Sequence, residues 1–233
     1  MVSTIPTFDI ENQNPTTLIS QNFVISATAL IIALILIYFY MFYYRTVQMQ
    51  SPYDFNNYHV AVGYDNMGEA LAMFSKLNED TMVLLKFLRN KWLSKPSLDA
   101  ADIDKQNIVM NLTYRYNPEV LYETNPRFTS NTSFTVYKGV RMYICMRQKD
   151  DTSKLVDYDV LKFVYLHELS HIGAYDVVDH ADRFWEVFKF ILTEAEAAGI
   201  YKPVDYRSRA QPYCGMNVSY NPIYDKSVST LGR

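Results

Sequence analysis

Residues 160–173 read VLKFVYLHELSHIG, and they contain His167-Glu168-Leu169-Ser170-His171, an HExxH motif. Leu161, Val164 and Tyr165 fall three and four apart, as on one face of a helix. Asp157 or Asp159 just upstream can cap that helix, so it is expected over about 160–173. Residues four apart on a helix lie one above the other, so the imidazoles of His167 and His171 can converge on one cation. Glu168, one position round, is aimed beside such a cation, where it can hold and deprotonate a water. The chain has only four histidines. A chance HExxH would then arise in about a few such chains per thousand, which makes the motif informative.

Downstream, Asp179 can cap a second helix from His180 to about Ala198. Phe184, Phe188, Ile191, Leu192 and Ala195 form its apolar face, and Gly199 stops it. His180 is therefore placed where a tight loop could fold it back over the first two histidines. A catalytic zinc keeps three protein ligands and one open position. His167, His171 and His180 are the expected set, Glu194 on the second helix competes as third ligand, and Glu186 is less well placed. Glu168 is the expected general base. Tyr201, Tyr206 and Tyr213 are candidate oxyanion donors in a chain with 20 tyrosines.

Upstream, Ser133 to Arg147 alternates apolar and polar residues on both sides of Lys138-Gly139, the pattern of a hairpin with one apolar face. Its second strand precedes the metal helix, and an exposed edge there could take an extended peptide by strand addition. Residues 65–92 carry Ala70, Leu71, Phe74, Leu77, Leu84, Leu85, Leu88 and Trp92 at helical spacing, with Asn78-Glu79-Asp80 as a candidate break. A short helix is expected around 103–111, and the chain beyond 201 reads as irregular.

Phe23 to Tyr44, FVISATALIIALILIYFYMFYY, runs 22 residues without a charge. At about 1.5 Å per residue it spans about 33 Å, enough for a hydrocarbon core of roughly 30 Å. It lacks a basic stretch before it and a cleavage site after it, so a membrane span is expected rather than a signal peptide. No Lys or Arg precedes Arg45, while Asp9 and Glu11 do, which places the large domain on the cytoplasmic side. Three glycosylation-type sequons at Asn111, Asn131 and Asn217 point the other way.

All 22 basic residues follow position 44, against 23 of the 25 acidic ones, so the soluble part has a net charge of −1. That excludes the strongly basic footprint of a nucleic-acid binder. Cys145 and Cys214 form no CxxC pair and no disulfide framework, and both are read as small apolar fillers. Any metal must then be held by histidine and carboxylate.

LHELSHIG, followed by HADRFWEVFKFILTEAEAAGIY and then PYCGM, resembles the WLM-type metallopeptidases within the SprT-like zincin group. Among them it is most similar to membrane-tethered versions encoded by large DNA viruses. TVYKGVRMYICMRQKD resembles that family's hairpin before the metal helix, and the resemblance covers about residues 112–216. It implies zinc held by His167, His171 and His180, Glu168 as general base, and peptide-bond hydrolysis, in cellular members often of proteins crosslinked to DNA. This sequence departs from the family in the nine residues from His171 to His180, a longer step than usual. Its near-neutral domain and apolar span also argue against a DNA-crosslink substrate. The metzincin pattern is excluded, because Ala174 and Val177 stand where its glycine and third histidine would be.

The expected class is α+β: a polar tail (1–22), a transmembrane helix (23–44), a connector (45–64), a helical part of the soluble domain (65–111), a WLM-like core (112–216) and an irregular tail (217–233). The expected function is that of a membrane-anchored zinc peptidase acting on a protein or peptide substrate, with lipid as the partner of residues 23–44. A tethered binding protein with a vestigial zinc site is the alternative.

Overall fold

The structure, a computed structural model, describes residues 15–43, 46–94, 96, 99–126 and 132–231, with side chains described from residue 23 onward except at 41–43. Most of the polar tail, Arg45 and the Asn131 sequon lie outside these residues. The chain divides into two units, 1–43 and 44–233. The first holds one helix, α1 (Pro15–Tyr43). Within it Phe23–Tyr40 has a mean hydropathy of 2.5 and no buried residue. Nothing in the unit buries this apolar surface, as expected of a helix whose solvent is lipid or of a signal sequence.

The second unit is α+β. Its sheet has five strands, β1 (Thr46–Gln50), β2 (Asn57–Ala61), β3 (Leu121–Glu123), β4 (Phe134–Val136) and β5 (Arg141–Ile144), in the order β1-β2-β3-β5-β4. β2, β3 and β5 run parallel, while β1 and β4 are antiparallel edges. Tyr58, Val60, Leu121, Met142 and Ile144 point into the core. The opposite face carries a cross-strand ladder of His59, Tyr122, Tyr143 and Phe134, with ring centroids 3.9, 5.2 and 4.6 Å apart in turn.

The second unit has α2 (Met67–Leu88), α4 (Tyr158–Gly173) and α5 (Asp182–Ala197) along the expected apolar stripes, and α3 (Ala100–Arg115), longer than the short helix expected around 103–111. α2 is continuous through residues 78–80, where a break was expected. Its buried Asn78 finds its partners sideways, donating to Asp54 (2.9 Å) and accepting from Tyr116 (2.9 Å), so it does not compete with the helix backbone. α4 is capped as expected: the Asp157 carboxylate accepts from the amides of Asp159 and Val160. It is buried on most sides, with Leu161, Phe163, Leu166, Leu169 and Ile172 all in the core. Gly173 lets three helices meet, since a Cβ there would lie 3.1 Å from Ile108 on α3 and 3.3 Å from Ile191 on α5.

Several expectations are corrected. Residues 45–64, read as a connector, contain the β1–β2 hairpin, paired from Thr46↔Ala61 to Gln50↔Asn57. The turn between β4 and β5 is Tyr137–Val140 rather than Lys138-Gly139 alone, and Tyr137, Lys138 and Gly139 all take positive φ. Asp179 does not cap α5, because it sits at φ 50° and reverses the chain; Ala181 occupies the cap position with no side-chain bond. The tail beyond 201 is mostly irregular but holds a hairpin, β6 (Gln211–Tyr213) and β7 (Met216–Val218). At its turn Cys214 and Gly215 both have positive φ, as a two-residue hairpin turn requires.

Cys145 and Cys214 are not fillers. They form a disulfide between the end of β5 and the β6–β7 turn, 69 residues apart and fully buried. Such a small hairpin is marginal alone, so the crosslink and the buried Tyr213 hold it to the sheet. Replacing Cys214 by alanine is expected to lower stability by about 2–4 kcal/mol in chemical denaturation. An unchanged midpoint would show that the crosslink contributes nothing.

Candidate metal centre and substrate cleft

His167 and His171 stand one turn apart on α4, with ring centroids 5.2 Å apart. The loop after α4 turns back at once: Ala174 takes the cap position, and the Val177 amide donates to the Ala174 carbonyl (3.1 Å). Lys138, from the β4–β5 turn, donates to the carbonyls of Ala174 and Val177 and so pins this loop to the sheet. The positive φ of Asp179 then delivers His180 over the helix. Its Nε2 lies 2.9 Å from the Nε2 of His167, and its ring centroid 5.0 Å from that of His171.

One nitrogen from each ring lies within 4.8 Å of the others. Ligands of a tetrahedral zinc with Zn–N bonds of about 2.0–2.1 Å sit roughly 3.3 Å apart, so these imidazoles fit such an ion with small adjustments. Phe184 supports the set, its ring centroid 4.8, 4.3 and 4.8 Å from those of His167, His171 and His180. Burial, reinforced by the neighbouring imidazoles, pushes His167 down to about 3. Burial, and repulsion from Lys138 and from any charge on His180, bring His171 to about 4. His180 is lowered too, mainly by burial. All three are thus neutral near pH 7, the form that ligates metal.

Glu168 is 3% exposed and faces the sheet side of the cleft. Thr135 on β4 donates to its carboxylate at 2.7 Å. Burial raises Glu168 to about 7, partly offset by the Thr135 bond. A cation nearby would favour the ionised form.

The other candidates are placed elsewhere. Glu194 receives Lys91 at 2.8 Å on both carboxylate oxygens. It lies ten residues along α5 from Phe184, about 15 Å at helical rise. Glu186 pairs with Arg183 at 3.1 Å. Tyr201 accepts from Asn221 (3.0 Å), and Tyr206 packs against Phe163 with ring centroids 4.8 Å apart. Only Tyr213 of the three tyrosines reaches the cleft, where its hydroxyl bonds Ser133 (2.6 Å) and donates to the Cys145 carbonyl (3.0 Å).

A cavity of about 450 Å³ opens beside His167, Glu168 and His180. Its walls are Thr132 and Ser133 before β4, Val164 on α4, Trp185 on α5, and the segment Met216–Tyr220. A second cavity of about 440 Å³ shares Thr132, Ser133 and Met216 with it and prolongs the cleft past β4. A larger cavity, about 770 Å³ between α2 and Tyr116, has no histidine in its lining. Thr135, Trp185 and Met216 lie within stretches that resemble the family, but nothing in the sequence singled them out as site residues; their folded positions do.

No family model matches the sequence. A protein of Acanthamoeba polyphaga mimivirus, described as uncharacterized, is 28% identical over 204 residues, covering 84% of this chain and 95% of that protein. An uncharacterized protein of Invertebrate iridescent virus 6 is 34% identical over 70 residues, 30% of this chain and 38% of its own length. Among solved structures, Wss1 from Saccharomyces cerevisiae matches 46% of this chain and 84% of its own, at 19% identity and a TM-score of 0.33. A likeness at that level says nothing of activity, which only the geometry of the cleft can address.

If the three imidazoles are the ligands, His180→Ala should weaken zinc binding by more than the 10–100-fold typical of losing an outer-shell partner. Glu194→Gln should leave it within a few-fold. Competition with a chelating dye measures both, and the reverse order would move the third ligand to Glu194.

Proposed function

We propose that this chain is a zinc-dependent peptidase anchored in a membrane by residues 23–44. The observation that carries the reading is the buried Glu168 carboxylate, held by Thr135, beside three converging neutral imidazoles. A structural zinc site closes with four ligands and has no use for a general base. Bound by His167, His171 and His180, zinc would supply Lewis acidity, making a water acidic near neutral pH and polarising a carbonyl. The remaining roles fall to the chain itself. Glu168 takes the proton of the attacking water and returns it to the leaving amine. Thr135 fixes the carboxylate so that one oxygen stays turned toward the cleft. β5, the second hairpin strand whose edge was expected to take a peptide, is paired on both sides by β3 and β4, so the edge falls to β4; an extended substrate adds to its open side, which leads the peptide past Thr132 and Ser133 into the cleft.

Two features oppose each other on membrane side. The charge bias around residues 23–44 favours a cytoplasmic domain, whereas a buried disulfide favours an oxidising environment. Protease protection of sealed membranes separates them: a domain digested only after permeabilisation from the lumenal side sides with the disulfide.

The activity test compares the zinc-loaded full chain with Glu168→Gln on an unfolded protein. We expect the wild type to cleave, and the variant to keep its zinc while losing activity by about 10²–10⁴-fold. Equal cleavage by both, or none by the wild type, contradicts the proposal.

A further inference from the structure

The cavity beside the histidines is uneven in its chemistry. On the side away from β4 its wall is Val164 on α4, Trp185 and Phe188 on α5, and Val218 and Tyr220 after the β6–β7 turn. The Trp185 ring stands 5.8 Å from His180 and 5.2 Å from Tyr220 by centroids, and it is only half-buried. Val164 and Tyr220 are half-buried as well. Five apolar or aromatic side chains therefore meet around open space next to the metal site instead of closing on one another. The volume, about 450 Å³, lies within the range of about 300–1,000 Å³ usual for ligand pockets.

Among the described residues this lining has no lysine, arginine or aspartate, and Glu168 is its one carboxylate. A lysine or arginine entering it would shed water beside a dication and find no counter-charge, apart from a carboxylate already bonded to Thr135. A large apolar side chain would lose water on both surfaces and gain ring contacts. We propose that this pocket selects a large apolar residue, such as phenylalanine or leucine, in the extended peptide beside the scissile bond. This deepens the peptidase reading and rests on it for the meaning of scissile.

The β6–β7 disulfide is part of the same device. It anchors the hairpin that carries Met216–Tyr220, so the far wall of the pocket is fixed to the sheet before substrate arrives. That preorganisation makes a side-chain preference possible in a wall built from a short hairpin strand and the two residues after it.

The test needs no catalysis. The chain has two tryptophans, and Trp92 packs against Phe190 and Lys105 outside the cleft lining. The full chain with Trp92→Phe, which leaves Trp185 as the one indole, and Glu168→Gln, which stops turnover, is loaded with zinc in detergent. Blocked alanine pentapeptides with Phe, Ala or Lys at the centre are titrated against its fluorescence. The Phe peptide should bind tighter than the Ala peptide by on the order of tenfold or more, and the Lys peptide should not bind at the concentration that saturates with Phe. Val164→Phe, which fills the pocket from α4, should abolish the Phe advantage.

Equal affinities for the three peptides overturn the assignment, as does a Phe preference that Val164→Phe leaves intact. A chain that binds with this preference but, as wild type, hydrolyses nothing supports the pocket and removes the peptidase reading. Hydrolysis indifferent to the side chain does the reverse.

Discussion

The site depends on one geometric constraint: His180 must be returned over α4 within a loop of a few residues. Two histidines on one helix face are the easy part, because helical spacing supplies them. The third arrives only because the chain stops at Ala174, reverses at Asp179 and restarts as α5 almost against α4. Gly173 permits that closeness, with neighbouring helices 3.1 and 3.3 Å from where its Cβ would be. Lys138 holds the loop carbonyls from the other side, tying the sheet's turn to the ligand loop. Sheet, loop and helix pair thus determine one another, and loosening any one moves an imidazole.

Bringing three imidazoles together in an aromatic surround is electrostatically expensive if any is protonated. Burial and mutual repulsion keep them neutral, and the one hydrogen bond within the set, between the Nε2 atoms of His167 and His180, occupies nitrogens that could otherwise face a metal. A divalent cation held by all three would replace that bond, and binding it would stabilise the fold as well as equip it. Glu168 is subject to the same economy in reverse. Its buried carboxylate has one hydroxyl donor, and a neighbouring positive charge would favour its ionised form.

Much of this was legible in the sequence, for reasons that are local. The HExxH helix and its Asp157 cap are set by residues within one or two turns, and the β4–β5 hairpin by alternation around Lys138-Gly139. The α+β class followed from those patterns. What was missed depends on partners far along the chain. β1 and β2 look like a connector because their hydrophobic alternation is short, and β2 becomes a strand by lying between β1 and β3. The disulfide joins residues 69 apart that carry no spacing signature. Thr135 is one threonine among many until the fold sets it against Glu168, and the apolar cleft wall is assembled from three separate segments. Asn78 misled in the opposite way: a residue that often breaks helices is accommodated here by two tertiary hydrogen bonds.

The central claim is that three imidazole nitrogens and no sulfur hold a single zinc with an open position. X-ray absorption at the zinc edge on the purified full chain addresses it directly. The account requires three nitrogen scatterers at about 2.0–2.1 Å with imidazole outer-shell features, plus one or two oxygens from solvent. Sulfur at about 2.3 Å, a shell of oxygens alone, or a chain that retains no zinc would contradict it.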